Sequence, residues 1–289
     1  MKAVKTFLRQ ASSVLKRLDA YLPPEQQEPD WSALAYRWQK VGKGGILESL
    51  PTPHTFPLSR LAAVDTQMQR LVRNTEQFLA GRSANNVLLT GARGTGKSSL
   101  IKALLHEYAV CGLRLIEVDK SDLATLPALL NILATRSEKF IVFCDDLSFE
   151  DGEEGYKALK TALDGGLARR CDNVLVYATS NRRHLMPEYM DENQGVLNAR
   201  GEVHPKEAIE EKVSLSDRFG LWLSFYPFSQ DDYLQAVANW LASFDLPFDD
   251  TTRQAALRWA ASRGGRSGRV AWQFVSDWAG RLPEQRVLD

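Results

Sequence analysis

Short apolar runs recur along the middle of the chain at Val87 to Thr90, Leu113 to Val118, Phe140 to Cys144, Val174 to Ala178 and Leu221 to Phe225. A strand that shows one face to water alternates, so runs such as FIVFC suit strands covered on both faces. Between them the apolar positions fall at helical spacing, which predicts helices over about 64–80, 97–109, 122–136 and 153–164. Strands alternating with helices make a mostly parallel sheet sandwiched by helices, an α/β architecture.

Beyond Pro227 the pattern is helical only. Ser229 is placed to cap a helix running to about Phe244, a second helix spans about 251–262, and a third starts near Gly268. Trp240, Trp259, Trp272 and Trp278 supply a small core among them. At the other end, Met1 to Leu18 sets Val4, Phe7, Leu8, Ala11, Val14, Leu15 and Leu18 at helical spacing among five basic residues, with no acid before Asp19. This is a basic amphipathic helix. An organelle presequence or a membrane-surface anchor shares that pattern, but a face packed on protein is the commoner use. Pro23 and Pro24 end it, and Asp30 reads as the N-cap of a second helix with Trp31, Leu34, Ala35 and Trp38 as its stripe. Gly42, Gly44, Gly45, Pro51, Pro53 and Pro57 then read as a loop or linker, with a domain boundary near residue 57. The expected division is an N-terminal helical segment at 1–57, an α/β core at 58–228 and a helical lid at 229–289.

Composition narrows the functions. Lys plus Arg equals Asp plus Glu at 36 each, so global charge advertises neither a nucleic-acid nor a membrane partner. No apolar run is long enough to span a bilayer. Three cysteines without CxxC spacing and four scattered histidines argue against a disulfide framework or a zinc site, and a reducing cytoplasm fits best.

Chemistry concentrates at Gly91-Ala92-Arg93-Gly94-Thr95-Gly96-Lys97-Ser98, which satisfies GxxxxGK[ST] between an apolar strand and a helix. Successive backbone N–H groups and a helix N-terminus there converge on an anion. Lys97 is expected to reach the β- and γ-phosphates of ATP, Ser98 to ligate Mg²⁺, and Ser99 to continue the phosphate-facing turn. Some fifty residues on, KFIVFCDD ends a strand in two carboxylates. Asp145 stands where an acid would hold the Mg²⁺ water shell, and Asp146 where one would polarise the attacking water.

From about Leu58 onward the wording AGRSANNVLLTGARGTGKSSLIKALL, FIVFCDDLSFE, YATSNRRHL and EEKVSLSDRFGLWLSFYP resembles an uncharacterised bacterial family of AAA+ ATPases, more distantly related to replication initiators and helicase loaders. The resemblance implies a P-loop NTPase fold, ATP hydrolysis and a homo-oligomer with shared sites. It implies a sensor 1 role for Asn181, with Thr179 and Ser180 as alternatives because the strand end is one residue longer than the common form. It implies an arginine finger at Arg218 and sensor 2 at Arg269, with Arg266 as the competing register. Most relatives carry Glu where this chain has Asp146, one methylene shorter, which implies either slow hydrolysis or a rearrangement on assembly. The loop after Val118 lacks the aromatic element of polypeptide-threading relatives. An unidentified protein client is the expected partner, and the arginine-rich stretch 251–289 keeps nucleic acid open as another.

Overall fold

The computed structural model describes residues 28–42, 44–149, 153–164, 171–181 and 215–286. The expected helix over Met1 to Leu18 falls outside them. Seven strands form one sheet: β1 (Ala35–Val41), β2 (Gly44–Leu50), β3 (Val87–Gly91), β4 (Leu113–Val118), β5 (Lys139–Cys144), β6 (Val174–Ser180) and β7 (Leu221–Phe225). Their order is β2-β1-β4-β5-β6-β3-β7. All neighbouring pairs are parallel except the β1–β2 hairpin.

The central strands are buried on both faces, as their uninterrupted apolar runs require. One face is covered by α1 (Asp65–Leu79) and α2 (Lys97–Tyr108), through Leu71, Phe78, Leu100, Ile101 and Leu104. The other is covered by α3 (Leu126–Leu133) and α4 (Glu154–Asp164), through Leu126, Leu129, Leu133, Tyr156 and Leu159. Three further helices, α5 (Gln230–Ala242), α6 (Asp250–Ser262) and α7 (Gly268–Gly280), gather around Tyr233, Val237, Ala256, Phe274 and Trp278. Each is capped from its own sequence: Ser229 and Asp232 make a reciprocal capping box on α5, Asp249 accepts from the Thr252 N–H, and Ser267 accepts from the Val270 N–H.

The N-terminal expectation needs correction. Residues 31–38 are not a helix, and the Gly- and Pro-rich stretch after them is not wholly a linker. Ala35–Val41 pairs in parallel with β4, and Gly44–Leu50 returns antiparallel to it around Gly42, whose φ of 59° suits glycine at a hairpin turn. The reason is tertiary burial. Tyr36 and Trp38, two apart, both point into the core beside α3, and Trp38 Nε1 donates to Thr125 Oγ1 at 2.9 Å. Asp30 does not cap a helix; its carboxylate accepts from the N–H and hydroxyl of Ser32 in a local turn. The sheet therefore continues across the expected boundary near 57.

Candidate functional site

The turn from β3 into α2 carries three glycines at positive φ: Gly91 at 134°, Gly94 at 76° and Gly96 at 94°. At Gly91 a side chain has no space, because a Cβ there would sit 1.9 Å from the Phe225 carbonyl oxygen of β7. Gly94 meets the helical domain, where a Cβ would come within 2.8 Å of Ser267 Oγ. Thr95 is buried and its hydroxyl donates to the Ala92 carbonyl at 2.9 Å, which closes the loop on itself.

Lys97 is buried at the start of α2. Its ammonium donates to the carbonyls of Gly91 (2.7 Å) and Ala92 (2.8 Å) and to Asn181 Oδ1 (3.0 Å). Burial pushes its pKa down, against the pull of Asp146 and Asp145, while Arg93 and Arg269 push in the same direction as burial. The residue is thus a cation held with less countercharge than it can use, which a phosphate would supply.

Beside it, Ser98 Oγ donates to Asp145 Oδ1 at 2.6 Å. That carboxylate also accepts from Thr179 Oγ1, which in turn accepts from the Asp146 N–H at 2.9 Å. Asp146 sits in the left-handed region at φ 51°, a conformation Asp tolerates better than most residues. Its Oδ1 accepts from Asn181 Nδ2 in a short hydrogen bond, and its Oδ2 faces an Arg93 guanidinium nitrogen at 3.8 Å. Ser180 is turned away, its hydroxyl donating to the Leu147 carbonyl. Asn181 is therefore the side chain that spans Lys97 and Asp146, and Thr179 the one that clamps the two acids.

These groups line a cleft of about 740 Å³ between sheet and helical domain. Arg93, Gly94, Thr95, Gly96, Lys97, Ser98 and Ser99 form its floor, and Asp145, Asp146, Thr179 and Asn181 one wall. Arg269, on the first turn of α7, lines it as well; Arg266 instead donates to Gln230 Oε1 on α5 at 3.3 Å. Arg218 is not among the lining residues, and its Nε is ion-paired with Asp164 at the end of α4.

Sequence reasoning missed the far end of the cleft. His54, Thr55, Phe56, Arg60, Leu61 and Ala62, expected to be linker and the start of the core, form a wall with Phe228, Trp240 and Trp272. Phe56 meets Trp240 edge-on at 5.9 Å, Arg60 lies over the same indole at 5.6 Å, and Trp272 packs against it at a 60° tilt with ring centroids 4.5 Å apart. Trp272 is 41% exposed at the cleft and is not a core residue of the helical domain. Aromatic residues interrupting a proline-rich stretch were the available signal.

Ser98 and Asp145 fit a hard divalent cation: two oxygen donors, already 2.6 Å apart, beside the phosphate loop. Among the described residues there is no cluster of three or more His, Cys, Asp or Glu side chains that could cage a metal alone. The pair therefore suits an ion that phosphate oxygens also hold. No helix among them is long and apolar enough to cross a membrane.

The AAA domain of FIGL-1, solved with ADP, matches the fold with a TM-score of 0.52 at 16% identity, over 79% of this chain and 74% of that one. Aeropyrum pernix ORC1, solved with DNA, matches with a TM-score of 0.50 at 17% identity, over 76% of this chain and 60% of that one. A single-residue variant of Thermotoga maritima RuvB gives 0.50 at 14% identity, over 77% and 63%. This chain spans less than two thirds of the ORC1 and RuvB chains. No curated protein matches the sequence. A family model described as a protein of unknown function, DUF815, matches residues 32–282. The chain belongs to that DUF815 family and folds as an AAA+ P-loop NTPase.

Proposed function

We propose that this protein binds and hydrolyses ATP in the cleft between sheet and helical domain, and that it does so as an oligomer that remodels a protein or nucleoprotein client. The observation that carries the reading is the contiguity of Lys97, Ser98–Asp145 and Asn181–Asp146 on the floor and wall of one cleft. The Gly91–Ser98 backbone and the α2 N-terminus cradle the phosphates, and Lys97 exchanges its two carbonyl acceptors for phosphate oxygens. Phe56, Trp240 and Trp272 offer aromatic faces to the base. Ser98 and Asp145 would hold Mg²⁺, which neutralises charge on the transferred phosphoryl group. Asp146 takes the proton of the attacking water, and Asn181 fixes where that carboxylate points. Arg269 approaches the phosphates from the helical domain. Arg218 lies outside its own cleft, as a residue completing a neighbouring copy's site would.

A second reading, a slow ATP switch or loader, is favoured by one observation: both Asp146 oxygens are already engaged, by Asn181 and by Arg93. Comparing turnover in wild type, Asp146→Asn and Arg218→Ala separates the two. The remodeller reading expects measurable turnover that rises with protein concentration and collapses in both variants. Tight ATP binding with negligible wild-type turnover supports the switch. Under both readings Lys97→Ala weakens ATP binding by at least about tenfold, because a charge-assisted contact to phosphate is lost. Unchanged affinity in that variant removes the nucleotide site altogether.

A further inference from the structure

The third residue of the phosphate loop, Arg93, lends its backbone to the cradle above, but its side chain has no catalytic role in that mechanism. Its side chain is 76% exposed and reaches across the loop to Asp146, whose side chain is 56% exposed. An ion pair that open to water is weakly held and readily exchanged for a stronger partner. Its location makes the exchange specific. Asp146 stands at the reacting end of the cleft, and Arg93, which lines the same cleft beside Lys97, places a guanidinium nitrogen 3.8 Å from its Oδ2. Asp146 Oδ1 accepts from Asn181 Nδ2, so Oδ2 is the oxygen that Arg93 faces.

We infer that Arg93 is the residue through which this chain distinguishes a nucleoside triphosphate from a diphosphate, and that it frees Asp146 Oδ2 as it does so. The inference rests on the nucleotide-binding reading of this cleft. A terminal phosphoryl group brings one further net negative charge, and three acceptor oxygens of its own, toward the place where Arg93 now meets one carboxylate oxygen. A planar guanidinium pairs with such a group better than with a single exposed carboxylate. When Arg93 turns to it, Asp146 keeps the Asn181 bond that orients it and exposes Oδ2 to water. A diphosphate ends short of that position and leaves the Arg93–Asp146 pair in place. One side chain thus couples recognition of the third phosphate to arming of the acid.

The test is the ratio of ATPγS to ADP affinity, measured with Mg²⁺ by calorimetry on the full chain in wild type, Arg93→Ala and Arg93→Lys. Arg93→Ala is expected to weaken ATPγS by about tenfold or more, the worth of a charged hydrogen bond, and ADP by less than about twofold. Arg93→Lys is expected to recover part of the ATPγS affinity, since it keeps the charge and loses the fork. An unchanged ratio overturns the inference, and so does an equal loss for both nucleotides, which means loop damage. Should Arg93→Ala fail to fold, Arg93→Gln carries the same comparison with the same two outcomes. If wild type binds neither nucleotide, the nucleotide-binding reading itself fails and the inference falls with it. If wild type binds both with Arg93→Ala unaltered, only the inference falls.

Discussion

Thr179 is the side chain on which both acids of the cleft depend. Its hydroxyl donates to Asp145 and accepts from the Asp146 N–H, and it is buried at the end of β6 where solvent cannot replace it. Thr179→Val keeps the shape and removes both bonds. We expect a stability loss of about 1 kcal/mol in denaturant unfolding, together with a larger fall in ATP turnover than in ADP affinity. An unaltered turnover would show that the acids hold their positions without it. The cysteines give a second check at this scale. Burial on β5 pushes the Cys144 thiol up to about 12, so its thiolate is scarce, whereas Cys111 is exposed. Iodoacetamide at about pH 8 is expected to label Cys111 and spare Cys144 until the chain is unfolded. Mass mapping before and after denaturant reads this directly. The phosphate loop and the paired acids were legible in the sequence because each is a contiguous stretch with a fixed local task. The pairing of Arg93 with Asp146 was not, since fifty-three residues separate them and only the fold makes them neighbours.

At the level of elements, what could be read followed burial. β3, β5 and β6 were legible because strands covered on both faces need long apolar runs; β4, which admits Arg114 and Glu117, and the edge strand β7, which exposes Ser224, still kept apolar majorities, and α5 was legible from Ser229. Ser229→Ala should cost about 1 kcal/mol by stripping one helix end of its cap, visible as a shifted urea midpoint. β1 misled because Trp31, Leu34, Ala35 and Trp38 fall at helical spacing by coincidence. As a strand, Tyr36 and Trp38 point into the core on one face of the sheet and Ala35 on the other; Trp31 packs beside Tyr36 from the preceding turn, and Leu34 is exposed. Local propensity lost to tertiary burial there. Trp38→Ala is accordingly expected to cost about 3–5 kcal/mol, the range for truncating a buried aromatic, and to strand Thr125 without its donor. A loss below about 1 kcal/mol would argue that the hairpin is dispensable.

Across the whole molecule, the stretch from Asp30 to Ala62 ties three layers together. It adds two strands to the sheet through β4, passes Phe56 against Trp240 at the cleft, and buries Ala62 in the core of the helical domain. A chain starting at residue 58 would bare the edge of β4 and lose Tyr36, Trp38, Leu47 and Phe56 from the interior. Such a truncation is expected to be insoluble or to melt well below the full chain; a well-folded product would restore the boundary first read from the glycines and prolines. That boundary was misplaced because punctuation residues mark turns, and turns occur within a sheet as readily as between domains.

Where the two parts of the molecule touch at the phosphate loop, each brings a glycine to the contact. Gly94 faces Ser267, and a Cβ on Gly268 would come within 3.2 Å of the Gly94 carbonyl oxygen. So close a contact makes a stiff bearing: between the Gly94 carbonyl and Gly268 there is no side chain to absorb a shift of the loop, so displacement at the phosphates is passed to the first turn of α7. A methyl group at position 94 would act as a wedge, propping the helical domain off the sheet whatever the cleft contains.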